Sequence, residues 1–220
     1  MRAFIILATV SIIAILLFYN SLRVIEYIKE RKKEEIVEDG QLFNFIIFDI
    51  KPKNKDTKIK RLVVSTFTSI FVMCLFLKYK LSLEFIKYLI LTDFLLITAY
   101  IDKQSTYVYS FINNFFLCIG IIFFIQNFEI KCLYFMGLSA IIILPLVLLK
   151  AIGSGDFKVF MIIFLYVSNL GYMNIFNVFL SIALSGAGAI YYIIIRKNSI
   201  KGQMAMCPYI LISTLILLLL

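Results

Sequence analysis

The chain has 220 residues, of which 62% are hydrophobic and 16% are charged, and its mean hydropathy is +0.99. A soluble domain of this length needs more charge on its surface, so the composition excludes an ordinary soluble protein and indicates a polytopic membrane protein. The net charge of +9 does not call for nucleic acid as a partner, because loop cations are expected beside anionic lipid.

Apolar stretches long enough to cross a hydrocarbon core of about 30 Å as a helix recur along the whole chain. We therefore predict an all-α fold, a membrane bundle of about eight transmembrane helices. In chain order the predicted spans are residues 3–22, 62–78, 85–101, 107–126, 132–149, 159–174, 176–195 and 206–220.

The spans divide the chain into three parts. Residues 1–22 form the first transmembrane helix, 23–61 a short cytoplasmic segment, and 62–220 a membrane core of about seven transmembrane helices. The first span has no cleavage site of small residues, so we interpret it as a retained helix. About 39 residues cannot bury much of a core. We expect the middle segment to be a helical extension and a loop on the inner face of the bilayer.

The distribution of cations predicts the orientation. Eleven of the 22 lysines and arginines lie between Arg23 and Arg61. Short loops rich in these residues stay in the cytoplasm, which places the amino terminus outside. Threading the other spans alternately leaves 17 cations inside and 5 outside, in agreement with eight spans. We expect a multi-pass protein of the cytoplasmic membrane.

Several kinds of catalytic and metal site are excluded because the chain lacks the residues that they need. It has no histidine, which removes Ser-His-Asp triads and histidine-based zinc sites. It also has no G-x-x-x-x-G-K-[ST] phosphate loop. The cysteines are far apart in apolar sequence and read as small core residues; they are Cys74, Cys118, Cys132 and Cys207. No metal and no cofactor is predicted.

Carboxylates are the remaining candidates, because an ionisable group in or beside a membrane is costly. Spans 3 and 5 both run inward, so Asp102 ends one span on the side where Asp156 follows the other. We predict that these two share a site. Asp93 is nine residues before Asp102, on the opposite helix face and about 13 Å deeper, and we expect it to form structural hydrogen bonds. The simpler alternatives are an Asp102 paired with Lys103 and an Asp156 that caps span 6.

The surroundings of both aspartates resemble those of a known family, the prepilin peptidases, which are membrane aspartyl proteases of the G-x-G-D type related to preflagellin peptidases. In that family one aspartate ends a span in an I-D pattern, found here as AYID with Asp102. The other lies in G-x-G-D-x-K, which is matched by Gly153, Gly155, Asp156 and Lys158.

Two further segments are similar to the family, and two features depart from it. QMAMCPYIL resembles the proline-containing start of the family's last span, with Pro208 in that place, and FYNSLRVIEYIKER resembles its opening helix. However, the proline that usually follows the first aspartate is absent, with Tyr109 near that point. The short soluble segment also lacks the paired C-x-x-C motifs of many bacterial members.

The resemblance implies an aspartic endopeptidase with Asp102 and Asp156 as its catalytic pair. Two neighbouring carboxyl groups share a proton, so that one activates water while the other donates to the scissile carbonyl oxygen. Which aspartate is the base stays open. We expect Gly153 and Gly155 to let the backbone leave the helix and approach an extended peptide. Lys158 either anchors the segment at the lipid phosphates or assists the aspartate electrostatically.

The substrate implied by the resemblance is a prepilin-like precursor, a membrane-anchored helix with a short basic leader in the cytoplasm. Many bacterial members also methylate the new amino terminus. Residues 23–61 contain no zinc-binding cysteine pairs and no glycine-rich loop, so we expect cleavage without methylation. The alternative is a methylation pocket built partly from membrane spans.

A function of a different class is an ion-coupled transporter or channel that uses the same carboxylates. Transporter sites lie near the bilayer midplane, whereas Asp102 and Asp156 are predicted at one edge of the membrane. A non-catalytic membrane scaffold would leave the GSGDFK motif unexplained.

Overall fold

A computed structural model of the chain describes residues 2–35, 55–105, 110–126, 128–149, 152–196 and 205–220. Helices dominate these stretches and no strand occurs in them, which confirms the all-α prediction. The chain forms two compact units, Met1–Leu77 and Lys78–Leu220. The boundary between these two units falls within the second helix.

The first unit consists of α1 (Arg2–Glu35) and most of α2 (Lys55–Tyr79). The Arg61 Nε lies 3.2 Å from a carboxylate oxygen of Glu26, and its guanidinium lies 5.2 Å from the ring centre of Tyr19. Only 1% of Arg61 is exposed, so both contacts compensate a buried cation. The expected helical extension beyond residue 22 is present in α1. The expected loop lies outside the described residues, as do residues 36–54 of the segment considered for methylation.

The second unit contains six helices within its described residues. They are α3 (Leu83–Ser105), α4 (Ser110–Gln126), α5 (Ile130–Leu148), α6 (Ser154–Tyr166), α7 (Met173–Arg196) and α8 (Cys207–Leu219). Helix α8 packs against both α3 and α7, and α6 packs against α3, α4 and α5. The carboxyl end of α3 and the amino ends of α6 and α8 can therefore meet.

The prediction for span 6 is wrong in its limits. The expected helix covered residues 159–174, whereas α6 begins at Ser154 and ends at Tyr166. A 3₁₀ turn over Ser168–Leu170 and Gly171, with φ of 55°, complete the break before α7. Since Val167 and Leu170 continue the apolar run, hydropathy does not reveal this break. The positive φ at Gly171 favours glycine, which has no Cβ.

Four helices are long and apolar enough to cross a membrane within the described part of the chain. They cover Ile6–Tyr27, Lys58–Tyr79, Ile130–Leu148 and Met173–Tyr191. Helix α4 has 17 residues, and α6 and α8 have 13 each. Thirteen helical residues span only about 20 Å. The protein is thus a helical membrane protein with both long and short apolar helices.

Polar side chains connect α7 to α8 in an otherwise apolar interface. The Asn177 amide donates to Thr214 Oγ1 at 3.1 Å, and the buried hydroxyl groups of Ser181 and Ser213 share a hydrogen bond. Such contacts hold membrane helices together where lipid provides no hydrophobic force between them. They keep α8, which begins at the candidate site, in register with α7.

A second polar cluster links the amino-terminal part of α3 to the 3₁₀ turn. The Asn169 side chain donates to Glu84 Oε1 at 3.3 Å and accepts from the Tyr88 hydroxyl at 3.3 Å and from Lys87 Nζ at 3.5 Å. Lys87 is 2% exposed, and its ammonium group lies 4.8 Å from the ring centre of Tyr88. The end of α3 remote from Asp102 is therefore also held in place.

A test of the packing between α4 and α6 is provided by Gly120. A Cβ at this position would lie 2.9 Å from Cε2 of the fully buried Tyr166 and 3.2 Å from Cβ of Leu165. We expect Gly120→Ala to cost about 1–3 kcal/mol because the ring cannot move away. Gly137 on α5 is exposed, with nothing within 4 Å of an added Cβ. Gly137→Ala is the control and should be neutral or slightly stabilising.

The measurement is the thermal unfolding midpoint of each purified variant in a mild detergent. Gly120→Ala should unfold at a clearly lower temperature than Gly137→Ala. Equal midpoints would contradict the tight contact between α4 and Tyr166.

Candidate functional site

Three helix ends bring Asp102, Asp156 and Cys207 together. Asp102 is in the last turn of α3, Asp156 is in the first turn of α6, and Cys207 begins α8. One carboxylate oxygen of each aspartate and the Cys207 Sγ all lie within 4.8 Å of one another. The structure thus places the two aspartates predicted to share a site in one cluster, and adds a thiol between them.

The Asp102 carboxylate is held by the start of α8. Its Oδ2 accepts a hydrogen bond of 2.8 Å from the backbone N–H of Cys207, and the N–H of Met206 also stabilises its charge. Pro208 lies in the first turn of α8, where it removes no helical hydrogen bond. The positive end of the helix dipole and its free N–H groups therefore face a carboxylate that is only 5% exposed.

Asp156 is the third residue of α6, whose N-cap is Gly153. The Asp156 carboxylate lies beside Gly153, whose backbone N–H favours its charged form, as in a capping box. Its Oδ1 also accepts from the Cys207 thiol at 3.3 Å. The position of Asp156 suits a cap of α6, which was the predicted alternative, and is compatible with the pairing to Asp102.

Cys207 was missed as a site residue by the interpretation of all four cysteines as core residues. The side chain is 0% exposed, but its surroundings are two carboxylates and not a purely apolar core. The interpretation is also wrong for Cys74 and Cys118, which are exposed on helix surfaces, and only Cys132 fits it. A residue of a membrane helix can be apolar because it faces lipid, so apolar neighbours in sequence do not predict burial. The proline after Cys207 was the available signal, since it marks a helix start.

Burial determines the protonation of the pair. Asp102 lies in the last turn of α3 and Asp156 in the first turn of α6, at the ends of these helices. Desolvation raises the pKa of Asp102, and the N–H of Cys207, the Cys207 thiol and the N–H of Met206 oppose that rise. Desolvation also raises the pKa of Asp156 to about 6, with the Cys207 thiol opposing it and the charge of Asp102 adding to it. Two close carboxylates do not both ionise readily, so the cluster is suited to hold one proton.

The three supporting residues of the motif have different environments. Gly153 has an extended backbone with φ of −70°, and a Cβ there would lie 3.0 Å from Asp156 Oδ2. Its small size thus permits the close approach of the carboxylate. Gly155 does not leave the helix as expected, because it lies inside the first turn of α6. Lys158 is exposed and two positions from Asp156, so the two side chains face different directions. This favours anchoring by Lys158 over assistance.

The other acidic candidate is not part of the cluster. Asp93 is half-buried on α3 and lies outside the group formed by Asp102, Asp156 and Cys207. The alternative of an ion pair between Asp102 and Lys103 is not observed: Asp102 is buried and its neighbour is exposed.

The same three groups are close enough to contact a single cation, but their hydrogen bonds define a different arrangement. The Cys207 thiol is protonated where it donates to Asp156, and Asp102 Oδ2 is occupied by a backbone N–H. A metal would need a thiolate and two ionised carboxylates. We therefore describe the cluster as two neighbouring carboxyl groups, each hydrogen-bonded to Cys207, and assign no metal to it.

The raised pKa of Asp156 predicts how stability depends on pH. An aspartate in an unfolded chain titrates near 3.8, whereas Asp156 titrates near 6 in the folded protein. Its contribution to stability is complete below pH 3.8 and is lost as the pH rises through about 6. The unfolding midpoint of the wild type should fall between about pH 5 and about pH 8, and Asp156→Asn should reduce that fall.

The control for this measurement is Glu129→Gln, which changes an exposed carboxylate at the start of α5. This variant should keep the full wild-type difference between the two pH values. An Asp156→Asn protein with an undiminished difference would show that Asp156 does not bind an extra proton on folding.

Comparisons with known proteins provide no further assignment for this cluster. The chain matches no protein-family model, no curated protein and no solved structure. The geometry of Asp102, Asp156 and Cys207 and the motifs around them are therefore the basis of the function proposed below.

Proposed function

We propose that this protein is a membrane aspartic endopeptidase that removes the leader peptide from prepilin-like precursors at the cytoplasmic face of the membrane, without methylation of the new amino terminus. The observation that carries the proposal is the meeting of Asp102 and Asp156, 54 positions apart in sequence, at the ends of two helices. Paired carboxyl groups that share a proton are the chemical requirement for aspartic proteolysis.

The reaction would proceed without a covalent intermediate. The ionised carboxylate takes a proton from a water molecule, and the water oxygen attacks the scissile carbonyl carbon. The protonated carboxyl group gives its proton to the carbonyl oxygen. Collapse of the resulting diol breaks the C–N bond, with one proton passing to the leaving amine, and the pair returns to its singly protonated state.

The position of the pair at helix ends supports a peptide substrate over a transported ion. Asp102 is in the last turn of α3 and Asp156 is in the first turn of α6, whereas a transporter site is expected near the middle of the spans. Gly153 and Ser154 beside Asp156 are exposed, so a chain segment could approach the pair from that side. A basic leader in the cytoplasm, followed by an apolar helix in the bilayer, would have its junction at this depth.

The topology belongs to the same proposal. Eight membrane passes with the amino terminus outside would place Asp102 and Asp156 on the cytoplasmic side, where the leader is. The proposal is supported by the eight helices of the described stretches and by the excess of cations in the predicted inner loops. In it, the shorter helices α6 and α8 cross together with their longer neighbours.

The direct test of the catalytic pair uses amide substitutions. Asp102→Asn and Asp156→Asn preserve shape but remove the acid–base chemistry, so each should lower precursor cleavage by at least about 100-fold. The assay is co-expression with prepilin-like precursors encoded in the same genome, with leader removal measured as a mobility shift. The amount of each variant in the membrane should equal that of the wild type.

Asp93→Asn is the matched control, because it makes the same chemical change on the same helix outside the cluster. It should retain most of the activity. Near-normal cleavage by either Asp102→Asn or Asp156→Asn would contradict the pair, and a complete loss in Asp93→Asn would point to the wrong carboxylate. Ion transport across the membrane that depends on these carboxylates, without precursor cleavage, would favour the alternative function of an ion-coupled transporter.

The topology is tested by single cysteines labelled with a membrane-impermeant thiol reagent. Cys74 and Cys118 are first replaced because they are exposed, while the buried Cys132 and Cys207 are retained. A cysteine at the exposed Ser154 should react only after the cells are opened. One at Tyr172, which is 67% exposed between α6 and α7, should react in intact cells.

The neighbouring Asn174 would be a poor labelling position on the outer side. It is 2% exposed, and its amide donates to the Val167 carbonyl at 3.0 Å. Labelling of position 154 from outside would overturn the proposed orientation and the location of the substrate leader.

A further inference from the structure

Cys207 contacts both members of the carboxylate pair, through two different groups. Its backbone N–H donates to Asp102 Oδ2 at 2.8 Å, and its Sγ donates to Asp156 Oδ1 at 3.3 Å. A single residue therefore connects the end of α3, the start of α6 and the start of α8. None of the motifs in the sequence assigns it this role.

The two contacts differ in how they depend on the side chain. Any residue other than proline at position 207 would retain the N–H that reaches Asp102, because that donor belongs to the backbone. The contact with Asp156 exists only if the side chain can donate a proton. Cysteine is a weak donor, weaker than serine, whereas alanine cannot donate.

The contacts also distinguish the two aspartates. Asp102 faces the amino terminus of α8, where the N–H groups of Cys207 and Met206, together with the thiol, favour its charged form. Asp156 accepts from the thiol at 3.3 Å, and the charge of Asp102 acts against its ionisation. The shared proton is thus more favourably placed on Asp156.

We propose that Cys207 is the positioning residue of the pair: its backbone N–H holds Asp102 as the ionised base, and its thiol determines how readily Asp156, the acid, releases the shared proton. The catalytic meaning of this inference rests on the proposed function, but the contacts do not. Cys207 acts through the aspartates and need not touch the substrate.

Other titratable groups around Asp156 do not account for the same effect among the described side chains. Asp102 on α3 and Cys207 on α8 face it directly. Lys103 and Lys158 are exposed, and Cys118 on α4 is exposed too. On α5, Lys131 and Cys132 belong to the first turn, near Ser168, which follows the carboxyl end of α6. Tyr209 on α8 has its hydroxyl beside Gly188 of α7.

The test compares Cys207→Ser with Cys207→Ala, since the two side chains are similar in volume and differ in the donor. Donation to a carboxylate favours its ionised form, so serine should lower and alanine should raise the pKa of Asp156. We expect the pKa of Asp156 to be highest in Cys207→Ala, intermediate in the wild type and lowest in Cys207→Ser, with each difference roughly half a pH unit.

The first measurement needs no substrate. The carboxyl stretching band of the purified full-length protein is titrated by infrared spectroscopy, and the part due to Asp156 is identified by its loss in Asp156→Asn. Cys132→Ser and Cys132→Ala provide matched controls, because Cys132 is also buried and donates its thiol to the Ser168 carbonyl at 3.3 Å. They should leave the midpoint unchanged.

The second measurement is the pH dependence of kcat/KM with a precursor that the wild type cleaves. The alkaline limb should move with the infrared midpoint in both Cys207 variants. The acid limb should move less, because Asp102 loses its interaction with the thiol but keeps the backbone N–H of residue 207. A larger movement of the acid limb than of the alkaline limb would reverse the assignment of base and acid and overturn the proposal.

The outcomes separate this inference from the proposed function. Equal infrared midpoints for the serine and alanine variants, or the reverse order, would overturn the role of the thiol whether or not cleavage occurs. The expected order together with no cleavage of any precursor would retain the tuning of Asp156 by Cys207 and reject the peptidase.

Discussion

The arrangement of the second unit depends on hydrogen-bond donors for the buried carboxylate of Asp102. Asp102 is 5% exposed at the end of α3, and a charge in that position is costly unless donors meet it. The N–H groups at the start of α8 are donors without partners inside their own helix. The hydrogen bond from the Cys207 N–H to Asp102 satisfies both groups at once, and it requires α8 to begin where α3 ends.

This requirement has consequences throughout the unit. Pro208 supports a helix start at Cys207, and polar contacts such as that between Asn177 and Thr214 hold α8 against α7. The other end of α3 is held by Asn169 in the turn after α6. Because α3 is held at both ends, the start of α6 and its Asp156 have a defined partner.

The geometry combines a structural role and a chemical one in the same residues. Asp156 lies in the first turn of α6, near the Gly153 N–H and beside Asp102, and Gly153 is small enough to let the carboxylate approach. A carboxylate that served only as a helix cap could remain exposed to water. Burial next to a second carboxylate raises the energy of the charged form, which makes a shared proton available for acid–base chemistry near neutral pH.

The sequence by itself determined the helical membrane class, the approximate limits of most helices, and the candidates Asp102 and Asp156, because hydropathy and the cost of charge in a membrane are local properties. Only the tertiary structure decided that α6 ends at Tyr166, that Gly155 stays helical, and that the Cys207 thiol lies between the carboxylates. These features depend on which helix ends meet in space. Residues 102, 156 and 207 are far apart in the chain, and no periodicity within one helix encodes a contact among three.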